Sequence, residues 1–301
     1  MLIKNKGFLM NKYIIMALVL CLTQGLGADK KNSKKEQQVE QLVIEAEKRR
    51  VKKNPNVSLK SIKISHKKDL SDNWTGYVFD LELLVKRKTK EGIVDNKIKI
   101  KDTIFTDGKL IATELIDLKT GKEFKEKMIL PLSNKYYNKK YLISGSVSSK
   151  HKIVVFSEPL CPACTGTMPQ FLNIVTQHPE KFAVYYIPIP LDMHPSAKLL
   201  VKASFLAKRD GIKNVTYKEY SARFGDFFKI SEQGHEKIAL ERFNKALGTN
   251  YIMNDVLTKS LEKELIDAIK LGNDAMVNST PSIFFDGLID KSRSKFRKYI
   301  K

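Results

Sequence analysis

Only three cysteines occur in 301 residues, and two of them, Cys161 and Cys164, stand three positions apart in the stretch FSEPLCPACTGTMPQF. Two thiols at that spacing can grip a metal, close a permanent disulfide or cycle between dithiol and disulfide. A structural zinc site normally takes four ligands, and there is no second Cys pair or Cys-His set to supply the rest. Thr165 follows Cys164, so the pattern is not the C-x-x-C-H of covalent haem attachment. A permanent staple would close only a tiny loop and add little chain-entropy stabilisation. A redox dithiol is therefore favoured over an inert disulfide and over a metal site.

Redox work requires one activated sulfur. If a helix begins at Cys161-Pro162-Ala163-Cys164, the first sulfur lies beside unpaired backbone N–H groups at the positive end of the helix dipole. That arrangement favours thiolate over thiol and makes Cys161 both nucleophile and leaving group. Cys164 lies one turn inward, within reach and more shielded, placed to attack a mixed disulfide on Cys161. Pro162 is tolerated in the first turn, where its missing N–H would have no helical partner.

The elements around the pair read as an α/β domain over 151–301. KIVVF (152–156) is a continuously apolar, buried strand. The helix that starts at the cysteines carries Met168, Phe171, Leu172 and Val175, and Pro169 reads as a kink. FAVYYIPI (182–189) is a second buried strand. A helical pattern with breaks at Gly211, Gly225, Gly234 and Gly248 fills about 195–272. TPSIFFDGLI then gives a last strand and turn, and SRSKFRKYI a short helix. This is a sheet with a helical insertion. His151, His178 and His194 have no motif partner and read as surface or loop residues. Glu158 reads as a solvated loop carboxylate, with tuning of the cysteine pair as the alternative.

Residues 29–130 form a smaller α+β unit. Val39, Leu42, Val43 and Ala46 share one face of a helix over 33–50, which Asn54-Pro55 ends. In YVFDLELLV, Tyr77, Phe79, Leu81, Leu83 and Val85 alternate at period two, the mark of a half-buried strand. KIKIKDTIF sets Ile98, Ile100 and Ile104 on one face. Asp107-Gly108 is a hairpin turn before a strand in KLIATELIDL, and Thr120-Gly121 closes the next. This unit holds no cysteine and only His66, so binding or oligomerisation is its expected role. A connector over 131–150 ends in SGSVSSK, where Gly145 and the serines suggest a hinge.

The amino terminus carries Lys4, Lys6 and Lys12, an apolar run from Tyr13 to about Leu22, and small residues at Gly25, Gly27 and Ala28. That is the pattern of a secretory signal peptide over 1–28, and the run falls short of a bilayer span. Leu20 stands where a lipobox needs a small residue, so Cys21 is read as part of the signal. The mature chain is expected in a bacterial periplasm. The net charge is +21, but the lysines are spread along strands and helices without an aromatic platform or binding motif, which argues against nucleic acid.

The CPAC pair after an apolar strand, and STPSIFF late in the chain, resemble a thioredoxin fold. The whole layout is similar to the periplasmic disulfide isomerases of the DsbC/DsbG type, with VVFSEPLC placing an acid three positions before the first cysteine. The resemblance implies that Cys161 attacks and Cys164 resolves, and that Pro281 is a cis-proline facing the pair. Thr280 would offer backbone hydrogen bonds to an extended substrate strand, with Pro162 and Ala163 completing the site. It further implies a small cystatin-like dimerisation domain, a V-shaped homodimer with an apolar cleft, misfolded or reduced exported proteins as clients, and no dissociable cofactor. A membrane partner, either a DsbD-like reductant or a DsbB-like oxidant, would set the redox state. Two departures stand out. Val155 occupies the place of thioredoxin's buried acid, and Ala163 replaces the histidine or tyrosine of relatives.

Overall fold

The structure is a computed structural model, and it describes residues 35–70, 73–89, 92–194, 196–222, 224 and 235–300. The expected signal peptide, 1–28, lies outside these residues. Among the described residues no helix is long and apolar enough to cross a membrane. The chain divides into two compact units, one of Met1–Ile98 with Asp102–Leu115 and one of Lys99–Lys101 with Ile116–Lys301.

The first unit has helix α1 (35–52) and a four-stranded sheet of β1 (Val57–Asp69), β2 (Thr75–Thr89), β3 (Gly92–Thr106) and β4 (Ile111–Ala112), in that order. The alternation in β2 holds from Phe79 to Leu83. Phe79, Leu81 and Leu83 are buried while Asp80 is exposed, but Val78 is buried beside Tyr77 and Val85 is only half-buried. In α1 Val43 and Ala46 are buried, whereas Leu42, expected on the same face, is exposed. The turn at Asp107 is held by its own carboxylate, which accepts from the N–H groups of Lys109 and Leu110 at 2.9 and 2.7 Å. The strand expected in KLIATELIDL shrinks to two residues. Beyond it only Ile116 pairs, as an isolated bridge to Glu123, because the Asp117 carboxylate and Gly121 turn the chain there.

The second unit is built on a five-stranded mixed sheet in the order β5-β7-β6-β8-β9. Its strands are β5 (Leu142–Ser144), β6 (His151–Ser157), β7 (Phe182–Pro188), β8 (Ser282–Phe285) and β9 (Leu288–Ile289). β6 runs parallel to β7 and antiparallel to β8. Its apolar run is buried on both faces, as a central strand requires. Val154 and Phe156 pack with Tyr185, Phe284 and helix α7 (Lys259–Asp274) on one side. Ile153 and Val155 pack with Met168, Phe171 and Leu172 of helix α2 (Pro162–Val175) on the other. Helices α3 (Ala197–Arg209), α4 (Val215–Ser221), α5 (Glu236–Leu247) and α6 (Met253–Val256) with α7 form the described part of the insertion.

The stretch 131–150 is built into this unit. Leu132, Tyr136 and Tyr141 are buried against Phe156 and Tyr185, and β5 pairs with β7. Gly145 has φ +76, and a Cβ there would lie 2.0 Å from the Phe182 carbonyl oxygen. It is a close-packing position, not a hinge. Glycine is used here because the chain must pass against another backbone.

Candidate active site

Helix α2 starts at Pro162, so Cys161 is its N-cap residue, with extended backbone at φ −71 and ψ 121. The first turn closes through N–H groups of Cys164 and Thr165, which donate to the Cys161 carbonyl at 3.0 and 2.9 Å. Both cysteines stand as free thiols, Cys161 nearly buried and Cys164 fully so. Pro162 and Ala163 are exposed and form the outer lip. The peptide between Thr280 and Pro281 is cis. It brings the Thr280 carbonyl to 3.6 Å from the Cys161 sulfur, which donates to it. Pro281 is buried, and the Thr280 hydroxyl is buried without a hydrogen-bond partner.

These contacts split the two thiols. Hydrogen bonding from Cys164 holds the Cys161 thiol well below the ordinary range, against its own burial, with help from the backbone N–H groups of Cys164 and Ala163. Burial pushes the Cys164 thiol far up, and the neighbouring Cys161 adds to the shift. Cys161 is thus the thiolate and Cys164 the proton-bearing partner, the division a nucleophile and a resolving thiol need.

Two sequence expectations are corrected here. Glu158 is not a solvated loop residue but is fully buried, accepting from the Leu160 N–H at 2.8 Å and pairing with His194 Nδ1. His194, read as a surface or loop residue, is itself buried. It follows β7 and precedes α3, so the insertion carries it to the motif loop. Burial raises the Glu158 carboxyl to about 7 despite the hydrogen bonds from His194 and Leu160, and the Cys161 charge adds to the rise. His151 pairs with Asp286 at 2.8 Å, and His178 lies 3.7 Å from Glu180.

Sequence reasoning missed a row of buried hydroxyls. Ser157, the last residue of β6, lies 2.7 Å from the Tyr220 hydroxyl, which lies 3.0 Å from that of Tyr186. The one available signal was a serine closing an otherwise apolar strand. Val155 is buried among apolar side chains, so no carboxyl stands in that position.

A dithiol at a helix N-terminus, set against a cis-proline loop on a mixed sheet, defines the class of a thioredoxin-fold thiol:disulfide oxidoreductase. A protein-family model described as Thioredoxin matches residues 137–301, and the chain belongs to that family. Among solved structures it is similar to oxidised BdbD from Bacillus subtilis, at 13% identity and a TM-score of 0.44 over 57% of this chain and 94% of that one. A putative protein-disulfide isomerase from Pseudomonas syringae matches at 16% identity and a TM-score of 0.44, over 54% and 98% of the two chains. The catalytic domain of Proteus mirabilis ScsC matches at 18% identity and a TM-score of 0.41, over 56% and 93%. No curated protein sequence matches the chain.

Proposed function

We propose that this chain is an exported, periplasmic disulfide isomerase or reductase of the DsbC/DsbG type, paired as a homodimer through residues 29–130. Cys161 thiolate attacks a wrong disulfide in a misfolded exported protein. A mixed disulfide forms and one client sulfur leaves as a thiolate. A second client thiol then displaces Cys161, which is isomerisation, or Cys164 does, which reduces the client and leaves a Cys161–Cys164 disulfide. The reducing equivalents reside in the two sulfurs, so no dissociable cofactor is involved, and a membrane redox partner restores the pair.

The observation that carries this reading is the contrast between the two thiols. Cys161 is stabilised as thiolate by hydrogen bonding from Cys164 and the helix N-terminus, and Cys164 is held protonated by burial. The same contrast favours a second reading, a dithiol oxidase. A stabilised Cys161 thiolate is a good leaving group, which makes the disulfide form the stronger oxidant.

The thiol state of Cys161 and Cys164 in growing cells, fixed by acid quench and read by alkylation gel shift, separates the two. A mostly reduced pair is expected. A mostly oxidised pair would replace the isomerase reading with the oxidase.

A further inference from the structure

We propose that the hydroxyls of Ser157, Tyr220 and Tyr186 form a buried donor chain that stabilises the Cys164 thiolate as it forms, and so sets the rate at which a mixed disulfide on Cys161 is resolved. This rests on the dithiol reading above.

Resolution has a chemical difficulty. Cys164 is fully buried, and a thiol that keeps its proton is a poor nucleophile. The place from which a carboxyl could take that proton is filled by Val155, packed among apolar side chains. Cys164, Tyr186 and Tyr220 pack in one buried cluster at the end of β6, and hydrogen bonding from Ser157 favours the charged form of the sulfur. Ser157, Tyr220 and Tyr186 are all nearly or fully buried. They come from β6, α4 and β7, so three separate elements converge on one row of oxygens.

A buried hydroxyl costs free energy unless it is paired, and these three are paired with each other at 2.7 and 3.0 Å. Each hydroxyl donates one hydrogen and accepts others, and each rotates. When Cys164 ionises, Tyr186 can donate to Tyr220, Tyr220 to Ser157 and Ser157 to the sulfur. Successive bonds of that kind polarise one another in a low-dielectric interior. The other groups around Cys164 are Cys161 at the N-cap of α2, Thr280 ahead of β8, and the backbone of Glu158. Glu158 faces His194 on the Cys161 side. At the far end of the row, Glu219 of α4 acts electrostatically on Tyr186 and pairs with Ser204, while the Lys208 ammonium stands 5.5 Å from the Tyr186 ring.

The step balances without a further reactant. The Cys164 S–H loses its proton to water, and its sulfur attacks the Cys161 sulfur of the mixed disulfide. The bond to the client breaks, and the client leaves as a thiolate that takes up a proton from water. The cysteine pair is oxidised and the client sulfur is reduced. Ser157 is the member of the row next to Cys164, and Tyr220 and Tyr186 act through it, all three as positioning residues.

The test is a single turnover of the reduced full chain with oxidised glutathione. Acid quench and mass spectrometry follow the Cys161–glutathione mixed disulfide as it forms and decays at several pH values. Tyr220→Phe keeps the ring and removes only the oxygen. It is expected to slow the decay about tenfold at neutral pH and to move the midpoint of the pH–rate curve up by about one unit. Ser157→Ala should slow decay further, and Ser157→Thr, which restores a hydroxyl, should recover most of the rate. A purely structural role would lower the thermal midpoint and leave the pH midpoint in place. A Tyr220→Phe curve that coincides with the wild-type curve overturns the donor chain and leaves the dithiol reading standing. If Tyr220→Phe does not fold, Tyr186→Phe decides the question by the same two criteria. A wild-type chain that never forms the mixed disulfide overturns the dithiol reading and the donor chain with it.

Discussion

The Glu158 carboxyl and the His194 imidazole, 36 positions apart in the chain, meet in the interior at the loop that leads into Cys161. Glu158 is fully buried, and that burial raises its carboxyl to about 7. A carboxyl whose folded pKa exceeds its unfolded value binds more protons when folded, so its contribution to stability is fullest below the unfolded value, near 4.5, and is lost as pH rises through about 7. The magnitude is on the order of 3 kcal/mol.

Glu158→Gln should therefore flatten the fall in stability between pH 4.5 and 7. Denaturant unfolding at a series of pH values checks this. Glu219, also buried and raised to about 7, titrates in the same window, so part of the slope should survive in the variant. An unchanged slope would show that Glu158 is not the group responsible.

Cys164→Ala removes the strongest support of the Cys161 thiolate. A hydrogen bond to a charged group contributes roughly 1.5–3 kcal/mol, which corresponds to an upward move of about one to two units in the Cys161 pKa. The pH dependence of Cys161 alkylation measures it directly. A midpoint that stays where it was would assign the stabilisation to the backbone N–H groups at the helix N-terminus instead.

Cys164→Ser should leave Cys161 able to attack but unable to hand the client on. Covalent adducts with exported proteins are expected on non-reducing gels, and Cys161→Ser should carry none. Equal adduct levels in the two variants would reverse the assignment of attacking and resolving thiols.

Gly145→Ala places a methyl group against the Phe182 carbonyl at a residue with φ +76. Left-handed backbone alone costs a non-glycine residue about 1 kcal/mol or more, and the contact with backbone adds to it because neither side can rotate away. A loss of at least about 2 kcal/mol in unfolding free energy is expected. A variant as stable as the wild type would mean that β5 shifts freely against β7.

Local pattern carried a large part of this site into the sequence. The cysteine pair and the apolar strand before it are short motifs, and each kept its place in the fold, while the cis Thr280-Pro281 step came from the family resemblance alone, since an X-Pro bond is seldom cis. The alternation of Phe79, Leu81 and Leu83 was equally legible, since period two encodes a strand with one buried face, though Val78, buried beside Tyr77, breaks it at the start of β2. Glu158 and His194 were misread because each is an ordinary surface type taken alone. Their burial depends on an insertion helix that brings one to the other, and no local spacing encodes that. Ser157 and Tyr220, 63 positions apart, escaped for the same reason. Gly145 among serines looked like a flexible hinge because composition cannot distinguish freedom from close packing.

The sulfur of Cys161 and the carbonyl of Thr280 that accepts from it are separated by 119 positions in the chain. β8, which follows Thr280, fills the edge of β6 that β7 leaves open. In a chain delivered amino terminus first, both thiols therefore arrive well before the loop that completes their surroundings. During that interval they lack the cover of the Thr280 loop and stand open to the same oxidants as any client. The order of synthesis makes enclosure the last property this site acquires, and insertion of a single short strand is the event that completes it.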